Sequence, residues 1–241
     1  MLAVDEVTLQ YGSGSRSKRD HFVTATYRVS FLVGESERFV VLGPSGCGKS
    51  TLLKAIGGFV GPTEGSITLD GARVKAPGPD RVFVFQEFDQ LLPWKTVKEN
   101  IVFALTASGK LPRRQAEERA MHHIAKVKLT EFAGSHPHTL SGGMKQRAAI
   151  ARALAMEPRS LLMDEPFAAL DALTRTQMQE ELLQLWHDTR FTVLFVTHSI
   201  PEAVRIGSRI LVLSAHPGQV KAELTREECD ENRLQELLFH A

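Results

Sequence analysis

The feature that most constrains this chain is a short glycine-rich segment between an apolar run and a helical pattern. Residues 43–50 are Gly-Pro-Ser-Gly-Cys-Gly-Lys-Ser and fit the pattern G-x-x-x-x-G-K-[ST] in full. The run before them, Arg38–Leu42, is typical of a buried parallel strand, and Lys49–Ile56 after them predicts a helix that ends at Gly57 and Gly58. Glycines let backbone N–H groups surround phosphate oxygens without a Cβ clash, and the helix N-terminus adds partial positive charge. The sequence therefore predicts a phosphate-binding loop.

Two side chains of this loop carry chemistry of their own. We expect Lys49 to reach the β- and γ-phosphates of a bound nucleotide and the hydroxyl of Ser50 to ligate Mg²⁺. The alternative is a glycine-rich turn with an incidental lysine, and the strand and helix on either side argue against it.

A second apolar run ends in two carboxylates. Leu161, Leu162 and Met163 are followed by Asp164 and Glu165. Beside a phosphate-binding loop, we expect Asp164 to hold Mg²⁺ directly or through water, and Glu165 to polarise the water that attacks the γ-phosphate. Taken alone, such a pair is also an ordinary exit from a strand into a turn.

Strand and helix patterns alternate along the rest of the chain. Strands are predicted at Phe22–Val33, with a hairpin-like return through Gly34 and Glu35, and at 67–69, 81–85, 160–163 and 191–197, and an exposed turn at 12–20. Helices are predicted at 97–133, with breaks at Gly109 and Pro112, at 142–156 with Ser141 as N-cap, and around Met178, Leu182 and Leu185. This alternation predicts an α/β fold with a mostly parallel sheet covered on both faces.

Composition narrows the classes of protein that remain. The 241 residues include 29 Lys and Arg against 28 Asp and Glu, a net charge of +1, which argues against nucleic acid as the main partner. Two cysteines, Cys47 and Cys229, make no disulfide framework and favour a reducing compartment. No apolar run approaches the roughly 18 residues of a spanning helix, and residues 1–11 lack the basic start of a signal peptide.

Residues 140–147, Leu-Ser-Gly-Gly-Met-Lys-Gln-Arg, resemble the signature motif of the ATP-binding-cassette (ABC) ATPases. Other motifs of that family follow in order: Gln86 resembles the Q-loop glutamine, 168–171 the D-loop, and His198 the switch histidine, while Tyr11 stands where the family has an aromatic residue for adenine. The resemblance implies a P-loop NTPase core with a mostly parallel sheet, an N-terminal antiparallel β subdomain and a helical insert. It implies one ABC ATPase domain over 1–241, with core and β subdomain at 1–86 and 158–241 and a helical subdomain at 87–157.

The resemblance also implies a composite site. Two copies would pack head to tail, with each ATP between the Lys49 loop of one and the segment Ser141, Gly142 and Gly143 of the other, because a serine and two glycines at a helix start also suit an anion. The residues then expected to contact ATP are Tyr11, Gly43, Pro44, Ser45, Gly46, Cys47, Gly48, Lys49, Ser50, Thr51, Ser141, Gly142, Gly143 and Asp171. The Mg²⁺ ligands would be Ser50, Gln86 and Asp164, and the catalytic set Lys49, Gln86, Glu165 and His198.

Some of these assignments have open alternatives. His198 would hydrogen-bond the γ-phosphate and Gln86 would sense Mg²⁺ and the water, or each would simply be a satisfied polar group at a strand end. Asp171 would lie near the dimer axis, and Tyr11 would stack on adenine or simply pack at a strand end. Met144, Ala168 and Ser199 depart from the residues usual in the family. Cys47 lies near Lys49 and a helix N-terminus, which favour a thiolate, so an alkylating reagent is expected to inactivate the protein and ATP to protect it.

The segment 86–97 carries Leu91, Leu92 and Trp94 around a proline, which predicts either a docking surface or a cover for the core of the helical insert. In the family this region accepts a helix of the membrane permease. With 163–171 and 215–220, it makes the chain similar to importer ATPases of the nitrate, sulfonate and taurine group. The resemblance implies a homodimer at the cytoplasmic face of the membrane, bound to permease subunits, served by an external solute-binding protein, and without nucleic acid. A soluble ABC ATPase or an exporter ATPase is the alternative, and co-purification with a hydrophobic subunit discriminates the soluble one.

Overall fold

The computed structural model describes residues 1–12 and 22–239, so the predicted turn at 12–20 lies almost entirely outside the described residues. The strands are β1 Leu2–Gly12, β2 Phe22–Val33, β3 Arg38–Leu42, β4 Glu64–Leu69, β5 Ala72–Arg73, β6 Arg81–Val84, β7 Ser160–Asp164, β8 Val193–Thr197, β9 Arg209–Leu213 and β10 Val220–Thr225. The helices are α1 Lys49–Ile56, α2 Val97–Ala107, α3 Arg113–Lys126, α4 Gly142–Ala155, α5 Ala172–Thr189, α6 Ile200–Ile206 and α7 Glu231–Phe239. Among the described residues, every helix is too short or too polar to span a membrane.

The chain divides into two compact units. The first contains Met1–Gly78 and Thr192–Ala241, and the second contains Pro79–Phe191. The phosphate-binding loop belongs to the first unit, and the segments around Asp164 and the signature motif belong to the second.

The first unit holds an antiparallel sheet and a mixed sheet. The antiparallel strands have the order β2-β1-β4-β5, and β3 lies between β8 and β9, parallel to both, with β10 antiparallel to β9. Because β2 pairs with β1 and β3 pairs with β8 and β9, the return through Gly34 and Glu35 is not a hairpin, and that expectation was wrong. The chain passes there from one sheet to the other.

The parallel strands β3, β8 and β9 of the mixed sheet are almost entirely buried because their sequences are mostly apolar. In β3, residues 39–42 are buried, and all five residues of β8 are buried, which is the pattern of strands covered on both faces. The antiparallel sheet behaves differently, since β2 alternates between exposed and buried residues from Arg28 to Val33. The turn at Asp70 and Gly71, both of which have positive φ, joins β4 to β5.

The second unit pairs a two-stranded parallel ladder, β6 with β7, with packed helices α2, α3 and α4. Thr96 and Glu99 form a capping box at the start of α2, and the side chain of Ser141 accepts a hydrogen bond from the N–H of Met144 at the start of α4. The break between α2 and α3 falls at Gly109, where φ is +71°, as predicted. Side-chain caps thus fix where two of the three packed helices begin.

Candidate nucleotide-binding site

The predicted phosphate-binding loop connects β3 to α1 in the first unit. Gly46 and Gly48 have φ values of +79° and +97°, a backbone region that residues with side chains rarely adopt. At Gly48 space is also lacking, because a Cβ would lie 2.4 Å from the carbonyl oxygen of Ala25. The first turn of α1 is Lys-Ser-Thr, without an acidic residue, so the partial positive charge of this helix start is available to an anion.

The Lys49 side chain folds back over this loop. Its Nζ donates to the carbonyl oxygens of Gly43 and Pro44, each at 2.8 Å, and the residue is only 4% exposed. An ammonium group has three N–H donors, and the third has only a long contact, 4.0 Å to Sγ of Cys47, which a phosphate oxygen would replace. The arrangement holds the charge beside the backbone that is expected to surround the phosphates.

Tyr11 lies at the end of β1 beside the same helix. Its hydroxyl donates to Oγ1 of Thr51 at 3.0 Å, and the residue is 44% exposed. This exposure leaves part of the ring surface for another planar group, and it also fits a half-buried tyrosine that packs at a strand end. The structure therefore brings Tyr11 and the phosphate-binding loop together within the first unit.

Cys47 requires a correction to the sequence analysis. Cys47 is 1% exposed. Its Sγ packs beside Gly43, where an added Cβ would lie only 2.9 Å from the sulfur, so the thiol fills space beneath the loop. Alkylation needs an accessible thiolate. In this conformation the thiol is not accessible, so rapid alkylation of Cys47 is no longer expected.

His198 is exposed and follows β8 directly in the first unit. Two hydrogen bonds of the Thr197 hydroxyl stabilise the turn that carries His198. The hydroxyl donates to the carboxylate of Glu202 and accepts a hydrogen bond from the N–H of Ser199 at 3.0 Å. Thr197 and Glu202 are both buried. The sequence analysis missed this pair, and a Thr immediately before His198 with an acid five residues later is the signal that marks it.

In the second unit, Asp164 and Glu165 stand at the end of β7 as predicted. Asp164 is the last residue of the strand and is 8% exposed. Glu165 has a φ of +42°, a left-handed conformation that costs a residue with a side chain on the order of 1–3 kcal/mol. A strained conformation at a residue with a proposed chemical role is consistent with that role.

Asp171 has a structural function that the sequence analysis did not assign. It is the N-cap of α5, where its Oδ1 accepts a hydrogen bond from the N–H of Thr174 at 3.0 Å, and bonds from Thr174 lower the pKa of its carboxyl. The preceding loop is held by Arg175, whose guanidinium donates to the carbonyl oxygens of Phe167, Ala168 and Leu170.

The segment after Gln86 is tied to the signature helix α4, also within the second unit. Gln86 itself is exposed, but the side chain of Gln90 bonds the N–H and carbonyl of Phe85 at 3.2 and 3.1 Å. The same amide donates to Oε1 of Gln146 at 3.3 Å, and Arg152 donates to the carbonyl of Gln90 at 2.8 Å. Burial lowers the pKa of Arg152, which stays charged. Gln90 was not singled out from the sequence.

Chemically, the donors assigned to Mg²⁺ suit that ion. A hydroxyl at Ser50, an amide oxygen at Gln86 and a carboxylate at Asp164 are all hard oxygen ligands. Mg²⁺ is usually held by one or two carboxylates together with phosphate oxygens rather than by a cage of protein groups. The described residues contain no group of three or more His, Cys, Asp and Glu placed to bind a metal.

The apolar segment before α2 divides between core and surface. Leu91 is buried, Leu92 is half-buried, and Trp94 is 70% exposed. Beside them, the Lys95 ammonium lies 5.2 Å from the centre of the Phe103 ring, which is also exposed. Covering the core explains Leu91, and a surface role is left for Trp94 and Phe103.

A glycine loop with a buried lysine, placed between a buried parallel strand and a helix N-terminus, defines a nucleotide-binding protein of the P-loop class. Residues 27–168 match the family model described as ABC transporter, which is more than half of the chain. The chain therefore belongs to the ABC transporter family and is an ABC ATPase. The predicted fold, a P-loop core with an antiparallel sheet and helices, is confirmed.

Relatives and solved structures agree over most of the chain. It is 50% identical over 222 residues to the taurine import ATP-binding protein TauB of Rhizobium johnstonii, covering 92% of this chain and 82% of that protein. It is 44% identical over 209 residues to the nitrate import ATP-binding protein NrtD of Synechococcus elongatus, covering 86% and 76%. A dimeric ATP-binding cassette in a post-hydrolysis state with ADP and Pi matches with a TM-score of 0.79 and 33% identity, covering 94% of this chain and 99% of that one.

Proposed function

We propose that two copies of this chain dimerise around two Mg-ATP and drive import of a small solute through a separate membrane permease. The observation that carries the proposal is that one chain holds two helix starts suited to phosphate. One is at α1, with Lys49, and the other is at α4, where Ser141 caps the helix and Gly142 and Gly143 follow. Dimerisation would give both a role, because each nucleotide would contact the first site of one copy and the second site of the other. The dimeric relative with ADP and Pi supports this arrangement.

In the proposed site, the groups divide nucleotide binding, metal ligation and catalysis among them. Lys49 and the backbone of residues 43–51 hold the phosphates, and Tyr11 stacks on adenine. Ser50, Gln86 and Asp164 would hold Mg²⁺, which supplies positive charge beside the phosphates. Glu165 takes the proton of the attacking water, and His198 with Gln86 orients that water and the γ-phosphate. Asp171 caps α5 and in this proposal also lies near the dimer axis. Hydrolysis removes the γ-phosphate that joins the two copies, so the dimer loosens after each turnover.

Coupling to transport would use the exposed face formed by Trp94 and Phe103. Trp94 and Phe103 are both exposed, and exposed aromatic residues are the kind that protein interfaces use. The names of the relatives describe import of taurine or nitrate and transport of bicarbonate by those proteins, and we propose a small solute of the nitrate, sulfonate or taurine kind here. The protein would then lie at the cytoplasmic face of the cell membrane, supplied through a solute-binding protein outside it.

The decisive experiment replaces Glu165 with Gln. ATP binding should persist, because the amide keeps the shape of the side chain, while hydrolysis should fall at least about 100-fold because the general base is lost. With Mg-ATP, the variant should accumulate as a dimer in light scattering after gel filtration. The matched control is Glu118→Gln, the same change at an exposed residue of α3 in the same unit, which should hydrolyse ATP normally.

Two results would contradict this proposal separately. Near-normal turnover by Glu165→Gln would remove the general-base role from Glu165. An ATP-saturated variant that stays monomeric would remove the composite site and leave the phosphate-binding loop intact.

A further inference from the structure

The phosphate-binding loop is supported from behind by a second loop of the first unit. Residues 214–219 join β9 to β10, and Gly218 attaches there to β2: its N–H donates to the carbonyl of Ala25 and its carbonyl accepts from the N–H of Tyr27, both at 2.9 Å. Gly218 therefore lies against β2 in the manner of a paired strand residue.

Gly218 also touches the backbone of the phosphate-binding loop itself. A Cβ on Gly218 would lie 2.2 Å from the carbonyl oxygen of Cys47. The φ angle of Gly218 is not positive, so any residue could adopt its backbone conformation. Lack of space is the reason for glycine at this position.

This contact fixes the direction of one peptide group in the phosphate-binding loop. A peptide group is planar and trans, so its C=O and its N–H point in opposite directions. The carbonyl of Cys47 is directed at Gly218, and the N–H of the same peptide group, which belongs to Gly48, is therefore directed away from Gly218. Ala25 closes the same side, because its carbonyl leaves no room for a Cβ on Gly48.

We propose that Gly218 is a positioning residue for nucleotide binding: by contact with the carbonyl of Cys47 it keeps the N–H of Gly48 directed at the bound phosphates. The proposal concerns residues 214–219, which lie far in sequence from the loop that binds the nucleotide. A bulkier residue would push the Cys47 carbonyl and turn this donor out of line.

The supporting loop is itself cross-linked by one side chain. Ser214 Oγ donates to the carbonyl of Pro217 at 3.0 Å and accepts from the N–H of Gln219 at 2.9 Å, and the N–H of Ser214 donates to the carbonyl of Gln219 at 2.8 Å. The side chain of Ser214 thus holds the residues on both sides of Gly218.

The test compares Gly218→Ala with Gly61→Ala. A Cβ on Gly61 would meet no described atom within 4 Å, and its φ is not positive, so this control adds the same methyl group without a clash. Displacing binding groups by about 1 Å costs up to about 100-fold, so we expect Gly218→Ala to raise the dissociation constant for ATP and the KM at least tenfold. The kcat at saturating ATP should change much less, because the lost contacts hold ground state and transition state alike. Gly61→Ala should match the unaltered protein.

A second variant covers the case in which Gly218→Ala does not fold. Ser214→Ala removes the hydroxyl that bonds Ala215, Pro217 and Gln219 and adds no atoms, and it should raise the dissociation constant for ATP about threefold. It should also speed amide hydrogen exchange in peptides covering residues 43–50 while leaving α2 and α3 unchanged. ATP affinity within twofold of normal in the folded variants would overturn the proposal. Failure of the unaltered protein to bind ATP would instead overturn the nucleotide site on which the proposal rests.

Discussion

Backbone conformation and close packing constrain several single residues of the site. The positive φ values of Gly46 and Gly48 were predictable, because glycine adopts such values readily and a phosphate-binding loop needs them. The positive φ of Glu165 was not predictable, since glutamate has no preference for that region and the surrounding structure imposes it. Gly218 was missed for a related reason: its requirement comes from a contact with Cys47, 171 residues earlier in the sequence.

At the residue scale, we predict slow alkylation of Cys47. Because the thiol is 1% exposed, a maleimide should label Cys47 in the folded protein at least about 100-fold more slowly than in urea, and ATP should slow it further by closing the loop. Mass spectrometry of digested samples over time measures this at each cysteine. Labelling of folded Cys47 at the rate of the unfolded chain would contradict the buried position.

At the scale of elements, prediction succeeded where a segment had its own start and stop signals. The ends of β3 and α1 were predicted to the residue, since an apolar strand meets glycines and a glycine pair ends the helix. Strands β9 and β10 and helices α6 and α7 were not predicted. In α7 only Leu234 is buried, so its apolar pattern is weak. The pairing of β2 with β1 could not be predicted, because the local sequence of a strand does not specify which of two sheets it joins.

Also at this scale, we predict that the hydrogen bonds of Gln90, which connect the segment after β6 to α4, contribute to the free energy of unfolding. Gln146 is fully buried and its amide has no other hydrogen bond within the described residues, so Gln90→Ala should lower the free energy of unfolding by about 1–3 kcal/mol. Replacing both partners is less harmful than replacing one, so Gln90→Ala with Gln146→Leu should recover part of that loss. Urea unfolding of both single variants and the double variant measures the coupling. Losses that simply add would show that the two amides do not interact.

At the scale of the whole molecule, composition, motif order and family resemblance predicted the fold class. The residues proposed to bind and hydrolyse ATP are divided between the two units, because their motifs lie in different parts of the chain. The first unit carries Lys49, Tyr11 and His198, and the second carries Gln86, Asp164, Glu165 and the signature motif. Their roles toward ATP remain proposals, because motif order does not specify distances. Acid stability, by contrast, depends on buried groups that no motif reveals.

His123 is predicted to limit stability in acid. It is 7% exposed on α3, and burial, with smaller effects from Lys126, His122 and Arg119, lowers its pKa from 6.5 to about 4. Between these two values the unfolded chain binds a proton that the folded chain excludes, so the contribution of His123 to stability falls as the pH drops from about 6.5 to about 4 and is constant outside that window. Nδ1 of His123 has no hydrogen-bond partner in the described part of the chain, so His123→Leu should be tolerated at neutral pH and should flatten the pH dependence of the unfolding free energy. Urea unfolding at several pH values measures this pH dependence, with the exposed His122→Leu as the control. A slope unchanged by His123→Leu, or one equally reduced by His122→Leu, would place the acid sensitivity in other groups.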